Sequence, residues 1–200
     1  IRDSINQNEL LVSTKKGKLW LVEKGSTKSA IEGLPEITYG GQGGLGDILP
    51  HPNFKQNNLL YLSYVASENN GRTRGAKVIR AQLKNGKLHN HQVIWEQLPH
   101  TTGRGHFSHR LAFGPPESAQ KGMLFISSGD RQIMHPAQTL DNNLGKIIRL
   151  HDDGRIPIDN PFAKRGFPAN TIWSLGHRNI LGISFSPNDK LWANEMGPLH

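Results

Sequence analysis

Two hundred residues with 35% hydrophobic, 7% aromatic and 20% charged content describe a soluble domain with a modest core, not a membrane protein or a disordered tail. The net charge of +8 comes from dispersed lysines and arginines, densest at Lys15-Lys16 and Lys164-Arg165, without the run of five or more that marks a nucleic-acid arm. Cysteine is absent, which excludes disulfides and thiolate metal sites. No stretch approaches the roughly 18 apolar residues of a membrane span, and Ile1-Arg2-Asp3 does not open a signal peptide.

Short β-forming runs follow one another along the chain. Residues 10–13 and 18–22 flank Lys15-Lys16-Gly17, which reads as a hairpin turn, and 59–65 (LLYLSYV) is strongly β-forming. The polar stretch 67–75 is expected to be a loop. Runs at 77–83, 92–96, 110–113, 123–128, 146–150, 171–175, 183–186 and 190–194 continue the series, and no long segment carries a 3.6-residue apolar stripe. The chain is therefore expected to be all-β.

A repeat sits within this series. Ile48-Leu49-Pro50-His51-Pro52 leads into Leu59-Leu60-Tyr61-Leu62, Leu111-Ala112-Phe113-Gly114-Pro115 into Met123-Leu124-Phe125-Ile126, and Ile183-Ser184-Phe185-Ser186-Pro187 into Lys190-Leu191-Trp192-Ala193. Each unit is an apolar strand, a proline-marked turn and a second apolar strand. A β-sandwich also spaces its turns regularly, but recurrence at several tens of residues favours propeller blades. At about 40–50 residues per blade, the chain makes roughly four blades, an incomplete part of a larger ring in one domain.

Three loops carry candidate chemistry. In Gly40-Gly41-Gln42-Gly43-Gly44-Leu45-Gly46-Asp47 the glycines serve either close ligand approach or a tight connection, while Gln42 has no packing role to explain it. In the segment from His100 to Arg110, His106 and His109 would share a face only on a helix. A single imidazole acting as general base fits a loop entering a strand better than a metal pair. Asp130 ends the strand expected to pair with the His106–Phe113 segment, so it either orients His106 or caps a turn. Arg178, in Gly176-His177-Arg178-Asn179, offers a planar fork to a carboxylate or quinone oxygen, or lies on the surface. Gly197-Pro198 could present two carbonyls to a hard cation, or form a turn.

At these residues the chain resembles the soluble pyrroloquinoline-quinone (PQQ) dependent aldose and glucose dehydrogenases. The matching segments, in order, are Gly41-Gln42-Gly43-Gly44-Leu45 with His51-Pro52-Asn53-Phe54; His106-Phe107-Ser108-His109-Arg110-Leu111; Ser128-Gly129-Asp130; Leu144 to Leu150 with Gly154 to Phe162; and Ser174 to Asn179 with Glu195-Met196-Gly197-Pro198. The resemblance implies a six-bladed β-propeller binding PQQ and calcium. It further implies His106 as the base that takes the proton from the sugar C1 hydroxyl, Asp130 as its orienting partner, and Gln42, Arg178 and Asn179 as contacts to cofactor or substrate. The Gly197 and Pro198 carbonyls would bind calcium, an external acceptor would take the electrons, and the location would be periplasmic or secreted.

The chain departs from the family pattern in four places. Gly46 stands where a second leucine is usual, His109 where a small residue is usual, Ile180-Leu181 where proline and glutamine follow the asparagine, and Met196 where the residue is more polar. A non-catalytic propeller and a metal-dependent propeller lactonase are the alternatives, the latter needing more carboxylates around a metal than Asp130 and Glu195 supply.

Overall fold

The computed structural model describes residues 2–6, 9–23 and 28–197. Strands dominate and form consecutive antiparallel meanders. Sheet one contains β1 (Arg2–Asn6), β2 (Glu9–Thr14), β3 (Lys18–Glu23) and β4 (Lys28–Ile31). Sheet two contains β5 (Leu45–Pro50), β6 (Leu59–Glu68), β7 (Thr73–Lys84) and β8 (Lys87–Glu96). Sheet three contains β9 (Ser108–Phe113), β10 (Met123–Ser128), β11 (Lys146–His151) and β12 (Ile172–Leu175). A two-stranded sheet, β13 (Ile180–Phe185) and β14 (Leu191–Glu195), follows. The described part thus holds three four-stranded sheets and a pair of strands. The three repeat units read from the sequence are the first two strands of sheets two, three and four.

The sheets stack face to face. Along β6, Leu60, Leu62 and Tyr64 point towards Leu11, Leu19 and Ile31 of sheet one, while Tyr61 points the other way, towards Leu111, Leu124 and Ile126 of sheet three. The same alternation recurs in β10, where Phe125 leaves the Leu124–Ile126 face to pack edge-on against Trp173 and Phe185. Period-two geometry with cores on both faces explains why these strands read as continuous apolar runs. First strands lie side by side: β9 contacts both β5 and β13, and β1 contacts β5. This is the neighbour relation that radial stacking of blades produces.

One expectation fails locally. Residues 67–75 are mostly strand, because the β6–β7 ladder runs on to the Glu68–Thr73 pair and only 69–72 turn. Backbone pairing continues there although the side chains turn polar beyond the sheet. The hairpin at Lys15-Lys16-Gly17 is present, closed by the Gly17 N–H on Thr14 O at 2.9 Å. Among the described residues, no helix is long and apolar enough to cross a membrane.

Each of the three inner strands β5, β9 and β13 takes up one extra residue just after it begins. Gly46-Asp47 oppose Ser63 alone, His109-Arg110 oppose Ser127 alone, and Leu181 faces no partner between Ile180 and Gly182. These are β-bulges, which bend a strand and re-aim its side chains. In two of them a serine from the neighbouring strand satisfies the displaced backbone donor: Asp47 N–H reaches Ser63 Oγ at 2.7 Å and Arg110 N–H reaches Ser127 Oγ at 2.8 Å.

Candidate active site

The bulged residues wall a cavity of about 380 Å³. Its lining includes Leu45 and Gly46 from β5, Ser108, His109 and Arg110 from β9, and Leu181 from β13, together with Gln42, Asn179 and Lys15. The inter-sheet connections meet here, so residues far apart in sequence become neighbours.

His106 is buried on the connection entering sheet three, with 3% of its surface exposed. Its Nδ1 lies 2.7 Å from Oδ1 of the equally buried Asp130. An ionised carboxylate only accepts, so Nδ1 carries a proton, and in the neutral ring the lone pair is on Nε2. The placement follows from the β9–β10 hairpin, in which Ser108 pairs with Ser128; the residues just before one strand and just after the other are thereby brought together. Asp130 also serves the turn, since its Oδ1 accepts the Gln132 N–H at 2.9 Å. Asp130 thus contacts both the His106 ring and the turn that follows it.

Gln42 splints this loop. Its backbone N–H donates to Arg104 O at 2.8 Å, and its Oε1 accepts the His106 N–H at 2.7 Å. Asn179 joins from the next connection, donating to Gln42 Oε1 at 3.5 Å and accepting from Ser108 Oγ at 3.2 Å. Gln42 and Asn179 therefore line the cavity with their side-chain oxygens already engaged.

Arg178 lies differently from the sequence expectation of a free fork. Its carbonyl accepts the Asp130 N–H at 2.8 Å, but its guanidinium turns towards the strand that follows, where Nη1 donates to Met196 O at 2.8 Å and Gly197 O at 3.1 Å. Glu195 closes the corner, accepting the Arg178 N–H at 2.7 Å and pairing with His177 Nδ1 at 2.6 Å. Of the two carbonyls expected to meet calcium, Gly197 O thus receives a guanidinium, and Pro198 lies outside the described residues.

His106 and His109 do not converge. His109 turns to Ser63, whose Oγ is 2.9 Å from its Nδ1. Burial, with Arg110 and Lys15 adding repulsion, drives the His109 pKa down to about 3. The imidazole is therefore neutral at any ordinary pH. Three other groups lie close enough to share an ion, Glu68, Glu96 and His100, but Lys77 Nζ already sits 2.7 Å from Glu96.

Two residues of the site escaped sequence reading. Arg131 is buried, its guanidinium 3.6 Å above the centre of the Phe107 ring. It donates to Gly105 O at 2.9 Å, Arg74 O at 2.8 Å and Gly103 O, tying down the loop that carries His106. Burial and nearby Arg74 lower its pKa to about 10, which still leaves it charged at neutral pH. Gln97, fully buried, bridges Ser128 Oγ at 2.8 Å and Gly129 O at 3.2 Å beneath the same loop. The sequence signal for either is slight, since an arginine after a turn aspartate reads as surface. Replacing Arg131 by Met strands three carbonyls, and is expected to cost about 3 kcal/mol, read from the urea midpoint.

Comparisons with known proteins identify the family. The family model for glucose/sorbosone dehydrogenase matches residues 3–200. The aldose sugar dehydrogenase YliI of Escherichia coli (strain K12) is 36% identical over 194 residues, covering 94% of this chain and 50% of that protein. Quinoprotein glucose dehydrogenase B of Acinetobacter calcoaceticus is 30% identical over 235 residues, covering 99% and 48%. A crystal structure of a glucose dehydrogenase superposes with a TM-score of 0.90 at 32% identity, covering 98% of this chain and 56% of the other. The chain spans about half the length of the curated relatives it matches. With that model matching nearly the whole chain, the chain belongs to the glucose/sorbosone dehydrogenase family.

Proposed function

We propose that the full-length protein oxidises the C1 hydroxyl of an aldose to the lactone, with PQQ as hydride acceptor and His106 as general base. The observation that carries this reading is the buried His106–Asp130 pair, with its proton fixed on Nδ1. Nε2 is then free to take the C1 hydroxyl proton, and Asp130 stabilises the imidazolium that results. Gln42 holds the His106 backbone so that the base cannot drift.

The cavity suits an anionic, planar quinone. Lys15 and Arg110 supply positive charge, and Gln42 and Asn179 supply amide groups; the proposed contact from Arg178 requires its guanidinium to leave Met196 O and Gly197 O. The name of the quinoprotein relative points to the same cofactor. When bound, PQQ supplies the two-electron acceptor for the hydride leaving C1, and an external acceptor removes those electrons. Calcium belongs to the same proposal through Gly197 and Pro198. One described carbonyl that already accepts Arg178 is not the shell of six to eight oxygens the ion takes. No proton or hydride step is therefore assigned to it. A six-bladed ring, of which this chain forms a part, follows from the same reading.

The test is reconstitution of the full-length protein with PQQ and calcium, following dye reduction by glucose and other aldoses. Turnover is expected, and His106→Ala should lower kcat by about 10²- to 10⁴-fold with the fold retained. Firm PQQ binding without turnover on any aldose would shift the substrate class. Absence of PQQ binding would overturn the reading in favour of a non-catalytic propeller.

A further inference from the structure

His109 has a second hydrogen-bonding edge that the base mechanism does not use. Ser63 fixes the tautomer of this ring. The Ser63 hydroxyl has one proton, and the 2.7 Å contact to the His109 carbonyl must use it, because a carbonyl cannot donate. The contact from Ser63 Oγ to His109 Nδ1, at 2.9 Å, therefore has Nδ1–H donating, and Ser63 Oγ also accepts the Asp47 N–H. The hydroxyl is then saturated, and Nε2 of His109 carries a lone pair.

That lone pair has no donor within the described protein. The Nδ1–Cε1 edge rests against Gly46 and Ser63, which leaves the Nε2–Cδ2 edge for the cavity that His109 lines. In the same wall Gln42 Oε1 accepts from both His106 and Asn179, while Asn179 Oδ1 accepts from Ser108 alone. Nε2 of His109 is thus an open ring-nitrogen acceptor in this wall, beside the second lone pair of Asn179 Oδ1.

We propose that His109 is a specificity-determining residue, presenting Nε2 as a neutral acceptor to one hydroxyl of the sugar. The proposal rests on the aldose-dehydrogenase reading for the identity of the ligand. Its chemistry separates His109 from His106. A carboxylate backs His106, which can carry a proton through turnover; a hydroxyl backs His109, and Lys15 and Arg110 beside it oppose a further positive charge. The open lone pair favours a donor such as a polyol hydroxyl and disfavours a carboxylate or phosphate at that point.

The test uses full-length protein with isotope-labelled histidine, a set of monodeoxy aldoses, and the variants His109→Phe and His109→Gln. The His109 Nε2 resonance should show an unprotonated nitrogen near neutral pH. It should move on adding the aldose and on adding every monodeoxy analogue except one. His109→Phe should raise KM for the parent sugar about 3- to 10-fold, as the loss of one neutral hydrogen bond implies, with most of the effect in KM. For the exceptional analogue it should add nothing, and His109→Gln should recover part of the loss. A resonance unmoved by saturating aldose, in protein that turns the sugar over, overturns the proposal even if the Phe variant fails to fold. A wild-type KM in His109→Phe for every sugar overturns it too. Movement on sugar binding without turnover supports the His109 contact and instead overturns the dehydrogenase reading.

Discussion

Asp130→Asn is expected to lower turnover of the full-length enzyme by about 10²- to 10⁴-fold while leaving the fold intact. In the native chain one oxygen, Oδ1, receives both His106 Nδ1–H and the Gln132 N–H. An asparagine can turn its amide oxygen to the same two donors, so turn and tautomer both survive. What disappears is the negative charge that balances an imidazolium in a site closed to water. The loss should therefore fall on kcat, with the urea midpoint close to wild type. A variant with wild-type kcat would show that the carboxylate only holds the ring in place.

Gly46→Ala should cost about 3 kcal/mol of stability, at the upper end for overpacking a well-packed site. Gly46 is not among the glycines with positive φ, so the cost is steric. A Cβ there would fall inside the His109 ring and against Ser63 Oγ. The ring cannot swing aside cheaply, being bonded to Ser63 and set edge-on to Phe107. Combining Gly46→Ala with His109→Gly removes the obstacle. The double variant should be about 2 kcal/mol more stable than the sum of the single effects predicts, measured as a double-mutant cycle in urea. Simple additivity would mean that the two positions do not touch.

That pair shows what could and could not be read from the sequence. Gly46 and His109 stand out separately as departures from the family pattern, 63 positions apart. Only the facing bulges of β5 and β9 show that the imidazole occupies the space a side chain at 46 would fill. Strands buried on both faces, such as β6 and β10, announce themselves by composition, and the β9–β10 hairpin was enough to bring His106 and Asp130 together. The short strand β4 did not, because only Ile31 of its four residues is buried and backbone pairing with β3 defines the rest. Arg178 shows a different limit: residue type suggests a fork for a ligand, but the direction of a long side chain depends on which carbonyls lie nearby. Here these are Met196 O and Gly197 O.

The extra residue near the start of each inner strand also separates two kinds of selection. Upstream lie Gln42, His106 and Asn179, the groups proposed to meet cofactor and sugar; downstream begins the in-and-out alternation that two packed layers require. With a slack position between them, the upstream wall can be rewritten, even by a side chain as large as an imidazole, without moving every later residue of that strand to the wrong layer. Diversity in what the pocket accepts can thus accumulate on a scaffold whose interior stays in phase.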